Sequence, residues 1–384
     1  MHASAASPVD VDDRSLRAAI TTPFWDAFLS GGLALVGMSL VLLWVATGHA
    51  AAIDPERFFA LTILINTPHF LVSYRVLYAS RARIRAHPWA SLVVPAGLVA
   101  TLVFVATTER PGPIVSSLVL AGSIYLAWHY AGQTWGMVAT FARLEGIRFT
   151  DLERAGLRAG PRALIALHVF FALTGRFPPR SWIDPATWVA GFTLGFQVVL
   201  VVAVVTCGLG IACLVTARRR HGRMPARVVL PWASLFVWYP FWYFVPGGFF
   251  FVQLSHALQY LAFPLRVEVN RFASTQTRTP GQRRVHAIAS YVVLVGVGAV
   301  VLHGPPLAAH AFGEGWYSTP WARTLLLALT SCVGLHHYFV DGAIWKLRDA
   351  DVREMLFSHL DERAVGGGPD QPLPRSLPRG LVNT

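Results

Sequence analysis

Five histidines lie inside strongly apolar segments of the sequence, where ionisable side chains are costly and usually serve a function. They are His69, His129, His256, His336 and His337. Imidazole nitrogens bind iron, copper and zinc, and carboxylate oxygens often complete such sites. Asp341 follows His337 by four residues, so both side chains should lie on one face of a helix. The pattern predicts a buried transition-metal site, in which Asp341 binds the metal or orients a histidine that does.

The composition places these histidines in a membrane. Of 384 residues, 54% are hydrophobic and only 14% are charged, and the mean hydropathy is +0.49. Soluble proteins carry about 25% charged residues, so lipid is the expected solvent. We predict an all-α polytopic transmembrane bundle with about ten spans of roughly 20 residues each. The predicted spans are 26–47, 58–79, 89–108, 114–141, 162–177, 187–216, 228–245, 249–267, 286–304 and 321–345.

Arginines mark one side of the predicted bundle. They concentrate in every second loop, as expected for the cytoplasmic loops of an inner (plasma) membrane protein. These loops include residues 81–85, 143–162, 218–227 and 271–284. Both termini are therefore predicted to be cytoplasmic, and the loops account for the net charge of +12 without nucleic acid as a partner.

The chain divides into three predicted regions. Residues 1–22 form a polar cytoplasmic N-terminus, 23–346 the transmembrane domain, and 347–384 a cytoplasmic tail. The tail is expected to be disordered from about residue 366, where glycine and proline accumulate.

The histidines share a depth in the predicted membrane. Spans 2, 4, 8 and 10 run in the same direction, and their histidines lie about eight to twelve residues from the cytoplasmic ends. At about 1.5 Å per residue, this places four of them in one layer roughly 6 Å thick. His168 in span 5 should enter the lower edge of that layer. A shared depth is expected for one common site and not for unrelated structural histidines.

Other polar residues follow the histidines at helical spacing. Gln133 lies four residues after His129, and Gln259 lies three residues after His256. We predict that Gln133, Gln259 and Tyr130 donate hydrogen bonds to substrate or bound oxygen. Asp341, Gln133 and Tyr130 are therefore the candidate catalytic residues.

Iron is the metal that this pattern favours. Histidine-rich sites with open positions suit dioxygen chemistry, and a site within the bilayer suits a lipophilic substrate. The aromatic-rich segment 238–251 could line a slot for such a molecule. Three cysteines occur without a CxxC pair, so neither a disulfide framework nor a thiolate zinc site is indicated.

Three alternatives remain open at this point. Paired histidines on facing helices could hold haem b in an electron carrier. Histidines and Asp341 could relay protons in a proton-coupled transporter. The histidines could also only bond neighbouring helices, which contributes about 0.6 kcal/mol per polar contact.

Single histidines spread over many spans, without a soluble domain, resemble the Brp/Blh-type membrane carotenoid dioxygenases. Those enzymes are iron-dependent and cleave β-carotene. The resemblance implies a polytopic fold with an iron site in a histidine-rich interior. It concerns the arrangement of spans, and no catalytic position is carried over from that family.

Overall fold

The computed structural model describes residues 19–173, 185–275, 279–312, 319–347 and 349–365. The described residues form helices joined by turns and contain no strand, so the all-α prediction is confirmed. The helices are α1 (Pro23–Ala46), α2 (59–77), α3 (Arg81–Ala86), α4 (Trp89–Thr107), α5 (Gly112–Leu144), α6 (Asp151–Leu173), α7 (Pro185–His221), α8 (Ala226–Phe244), α9 (Phe249–Thr275), α10 (Pro280–Phe312), α11 (Pro320–Ile344) and α12 (Ala350–Val365).

Six helices within the described residues are long and apolar enough to cross a membrane. They are α1, α4, α5, α6, the part of α7 from Val189 to His221, and the part of α10 from Arg284 to Gly304. The other predicted spans lie in α2, α8, α9 and α11. Three of these four helices carry predicted metal ligands, and ionisable side chains lower the apolarity of a segment. The chain is a multi-pass membrane protein, and the count of about ten spans stays a prediction.

The outer helices present apolar side chains to their surroundings. Only 11% of the apolar window in α10 and 17% of that in α4 is buried. Four aliphatic side chains on the outer helices are more than half exposed: Leu40 (62%), Val99 (59%), Val204 (65%) and Val300 (72%). Soluble proteins rarely expose contiguous apolar surfaces of this extent. The arrangement fits a bundle whose outside faces lipid chains.

The arginine-rich connections contact one another at one end of the bundle. The contacts are Arg220 to the Arg148 carbonyl (2.8 Å), Arg83 to Met355 Sδ (2.6 Å) and Asn270 to the Met355 carbonyl (2.8 Å). At the other end, the Ile53 N–H donates to the Pro246 carbonyl at 2.8 Å. The arginine-rich connections thus lie at one end of the bundle and the 53–246 contact at the other, as the charge pattern predicts. That the arginine-rich end is cytoplasmic, and both termini with it, stays a prediction.

A buried ion-pair network joins three elements near the arginine-rich end. Arg227 is 2% exposed, and its Nη1 lies 3.2 Å from Asp26 Oδ2. Its Nη2 lies 2.5 Å from Glu145 Oε1. Because each charge is paired, α1, α8 and the end of α5 can be held together without an isolated buried charge.

Helix α6 begins before the predicted span. That span starts at residue 162, whereas the helix starts at Asp151, so the end of the predicted loop before it is helical. A capping box explains the difference: the Thr150 N–H donates to Glu153 Oε2 at 2.7 Å, and the Glu153 N–H donates to Thr150 Oγ1 at 3.2 Å. The predicted end at 177 lies outside the described residues.

The histidine-bearing helices form the centre of the bundle. Helix α11 packs against α2, α4 and α5, while α9 packs against α2, α8 and α10. Helix α12, in the predicted tail, packs on α9, and residues from 366 onward lie outside the described part. Helices α2, α5, α9 and α11 therefore enclose a common interior.

Candidate metal centre

Four of the five predicted histidines meet in the core. His69, His129, His256 and His337 come from α2, α5, α9 and α11, and all four are buried. The Nε2 atoms of His129 and His256 are 2.9 Å apart. Those of His337 and His69 are 3.0 Å apart. The close approach of nitrogen atoms from four helices is what a shared ion requires.

Asp341 adds a carboxylate to this group. Its Oδ2 lies 3.6 Å from His337 Nε2 and 3.8 Å from His129 Nε2. The ligand atoms of His69, His129, His337 and Asp341 all lie within 4.8 Å of one another. His256 extends the set through its contact with His129. The donor set, neutral imidazoles with one carboxylate, suits a transition metal.

The two nitrogen pairs lie at contact distance. Separations of 2.9 Å and 3.0 Å are those of a hydrogen bond between two ring nitrogens. Asp341 Oδ2 lies further from His337 and His129, at 3.6 Å and 3.8 Å. A metal bound here would replace the hydrogen bond within each pair, because both nitrogens would then present lone pairs to the ion.

A hydrogen-bond network fixes the carboxylate of Asp341. Ser73 Oγ donates to Oδ1, and the Tyr260 hydroxyl donates to the same oxygen at 3.2 Å. The Tyr260 hydroxyl also lies 2.8 Å from Ser73 Oγ and accepts from Trp345 Nε1 at 2.6 Å. Both carboxylate donors bind Oδ1, so Oδ2 is left to face the histidines. This orientation of a ligand by its neighbours is typical of metal sites.

The network reveals a spacing that repeats on all four central helices. The pairs are His69 and Ser73, His129 and Gln133, His256 and Tyr260, and His337 and Asp341. In each pair the polar residue follows the histidine by four positions, which places it one turn nearer the arginine-rich end. The interior therefore has a layer of imidazoles and, beside it, a layer of polar groups. Sequence reasoning missed Ser73 and the role of Tyr260, although this spacing could have identified both.

Three buried ring nitrogens of the cluster lack a hydrogen-bond partner among the described residues, which lowers the stability of the fold. In the described structure, Nδ1 of His69, His256 and His337 is buried without a hydrogen-bond partner. An unsatisfied buried polar atom costs about 1–3 kcal/mol. An imidazole that binds a metal through Nε2 usually donates its Nδ1–H to a neighbouring acceptor. The described residues provide no such acceptor for these three rings.

A proline bend in α2 positions His69. Residues Thr62–Asn66 form a π-turn before Pro68, which has no N–H to donate to the preceding turn. The freed carbonyl of Leu64 accepts from the Tyr291 hydroxyl of α10 instead. Within a membrane every such carbonyl needs a partner, so α10 stabilises the bend that carries His69.

His336 is not brought to the cluster. Its Nε2 lies 2.8 Å from the Ala90 carbonyl, and its ring stacks on Tyr74. Ala90 belongs to a π-turn, Trp89–Val93, which precedes Pro95 and leaves carbonyls without helical donors. His336 therefore caps a bend in α4. Its neighbour His337 points about 100° away around the helix, into the cluster.

The remaining predicted residues take different positions. Gln133 Nε2 donates to the His256 carbonyl at 3.1 Å, while Gln259 Nε2 donates to Ser234 Oγ at 2.9 Å. The Tyr130 ring packs on that of His256, with centroids 4.4 Å apart. His168 lies 3.3 Å from the Tyr239 hydroxyl, in a separate aromatic group. Gln133 thus links α5 to α9 by a hydrogen bond, and its side chain also lines a cavity beside the cluster.

A cavity of about 250 Å³ adjoins the cluster. His129 and Asp341 form part of its wall, and most of the remaining wall is aromatic or aliphatic. It lies between α5 and α11, with Tyr260 and Phe263 of α9 also in its wall. The open edge of the donor cluster is therefore the edge between His129 and Asp341.

Comparison of the chain with known protein families, with characterised proteins and with solved structures yields no match.

Proposed function

We propose that this protein is an integral membrane metalloenzyme, an iron-dependent oxygenase that acts on a lipophilic substrate. The observation that carries the proposal is the convergence of His69, His129, His337 and Asp341 beside an apolar cavity, with His256 in contact with His129. Such a cluster in a lipid-facing bundle is compatible with a membrane metal site.

The donor number supports iron. His69, His129, His256, His337 and Asp341 would supply up to five ligands, and a six-coordinate metal held by them would keep one position for a further ligand. Structural zinc is tetrahedral and copper(II) prefers tetragonal sites, whereas ferrous oxygenases combine histidine and carboxylate ligands with open positions. Iron held in this way would supply the activation of dioxygen.

The protein's own residues have separable roles in this proposal. The four histidines would bind the metal through Nε2, and Asp341 would supply the negative charge. Ser73 and Tyr260 orient Asp341 from Oδ1. Gln133, at the cavity wall, holds the His256 carbonyl with one N–H of its amide, and its second N–H can donate to a bound molecule. Burial of the cluster excludes bulk water.

Nitric oxide tests whether an open position exists. The protein, purified in detergent and loaded anaerobically with Fe²⁺, is exposed to nitric oxide and studied by electron paramagnetic resonance. We expect the signal of a ferrous–nitrosyl adduct in the wild type and in His336→Ala, and none in His337→Ala. A wild type that binds iron but gives no adduct has a closed site, and this result would refute the oxygenase. A wild type that binds no metal would favour the proton-coupled carrier.

A further inference from the structure

We infer that the cavity between α5 and α11 is a lateral substrate site, which admits an apolar group of about ten carbon atoms from the bilayer to the metal cluster. This inference rests on the proposed function and specifies its substrate. Four features support a lateral substrate site: the wall of the cavity, its opening, its depth in the membrane and its volume.

The wall of the cavity suits an apolar molecule. Tyr125 and Tyr338 line one part, and Phe263 and Met137 line another. Polar groups are few and lie mainly where the cavity reaches His129 and Asp341. Ligand sites in proteins commonly combine an apolar wall with a few convergent polar groups. A bound apolar molecule would therefore be oriented with one end toward the metal cluster.

Glycines form the outer opening. Gly132 on α5 and Gly342 on α11 both line the cavity, and both are exposed. A Cβ atom added at either residue would meet no atom within 4 Å. Trp128, one turn before Gly132, is 65% exposed beside them. The two backbones thus leave a gap that any larger side chain would narrow.

The depth of this gap favours lipid as the source of the guest. Helix α5 has 33 residues, which at about 1.5 Å each span about 50 Å, more than the roughly 30 Å of hydrocarbon. Trp128 lies at its midpoint, and Gly132 lies about 6 Å further along. Leu347 and Leu356 line the end of the cavity toward the arginine-rich face. Gly132 therefore lies within the apolar part of the membrane, while Gly342 lies two residues before the end of α11 and forms the edge of the gap nearer the arginine-rich face.

The volume limits the guest. A protein cavity of about 150 Å³ holds benzene. This corresponds to about 25 Å³ of cavity volume for each carbon atom of the bound molecule. The cavity of about 250 Å³ then accommodates about ten carbon atoms. The substrate is either a small apolar molecule of that size or a longer one that inserts such a terminal group.

Photolabelling in lipid nanodiscs tests this site. The probe is a ten-carbon alkyl chain that carries a diazirine, and decane is the competitor. Labelled residues are mapped by mass spectrometry in wild type, Gly132→Leu, Gly342→Leu and Gly122→Leu. Gly122 is a matched control, because it lies on the same helix, a Cβ there also meets no atom within 4 Å, and it does not line the cavity.

We expect labelling of Trp128 and Tyr338 that decane reduces at least fivefold in the wild type and in Gly122→Leu. Both portal variants should lose this competable labelling at least fivefold. Labelling that decane does not reduce, or that all variants retain, would overturn the inference, because the probe would then report only lipid-facing surfaces. Metal content is measured on the same samples, so a metal-free protein with intact competable labelling would refute the proposed function and leave the site.

Discussion

Replacing Tyr260 by phenylalanine should weaken metal binding without removing a metal ligand. The tyrosine hydroxyl donates to Asp341 Oδ1 at 3.2 Å, and the described structure gives that oxygen one other donor, Ser73. A hydrogen bond to a charged group contributes about 1.5–3 kcal/mol. Since about 1.4 kcal/mol corresponds to a tenfold change, affinity should fall about 10- to 100-fold. Losses of this size are typical when a residue that orients a ligand is removed.

The assay is a competition titration of Fe²⁺ or Co²⁺ against a chromophoric chelator, in detergent and without oxygen. Co²⁺ also reports geometry, because octahedral Co²⁺ has weak d–d absorption bands and tetrahedral Co²⁺ has intense ones. We expect weak bands in both the wild type and Tyr260→Phe.

Tyr74→Phe is the matched control. This tyrosine is also on a central helix, and its hydroxyl donates to the Val333 carbonyl at 3.0 Å, with no hydrogen bond to Asp341 in the described structure. Both variants lose a hydroxyl hydrogen bond, so both should lower the unfolding temperature. Only Tyr260→Phe should lower the metal affinity. Equal affinities in the wild type and both variants, or equal losses in the two variants, would show that the Tyr260 hydroxyl does not orient Asp341 for metal binding.

Three further substitutions address the frame around the site. His336→Ala should leave metal content unchanged and cost about 1–3 kcal/mol of stability, because a backbone carbonyl in α4 loses its donor; loss of metal would contradict this role. Tyr291→Phe should lower stability by a similar amount, because a carbonyl in α2 loses its donor. If α2, which carries His69, moves as a result, the metal affinity should fall as well. Arg227→Met should cost about 3–5 kcal/mol, because Asp26 and Glu145 lose a buried partner. Thermal unfolding in detergent measures each effect, and a wild-type transition for Arg227→Met would show that the network is dispensable.

The sequence allowed much of the cluster to be predicted, because helix geometry is fixed. A constant rise per residue converts distance from a span end into depth, so His69, His129, His256 and His337 could be placed in one layer. The i+4 spacing likewise set Asp341 on the face of His337. Which helices are neighbours depends on side-chain packing between distant segments, which no local pattern encodes.

Two local features escaped prediction for different reasons. His336 and His337 are adjacent, and their spacing alone does not decide which one faces the interior. The π-turn before Pro95 decides it, because a carbonyl there needs the donor that His336 provides. The early start of α6 was in principle readable, since Thr150 and Glu153 form a capping box.

Elemental analysis of the detergent-purified protein shows whether the cluster binds a metal. The wild type is measured beside His129→Ala and His337→Ala, with His336→Ala as the control for a neighbouring histidine outside the cluster. We expect near-stoichiometric iron in the wild type and in the control, and its loss in both cluster variants. A wild type that is metal-free when purified without chelators, and that iron, zinc and copper cannot reconstitute, would rule out the metal site.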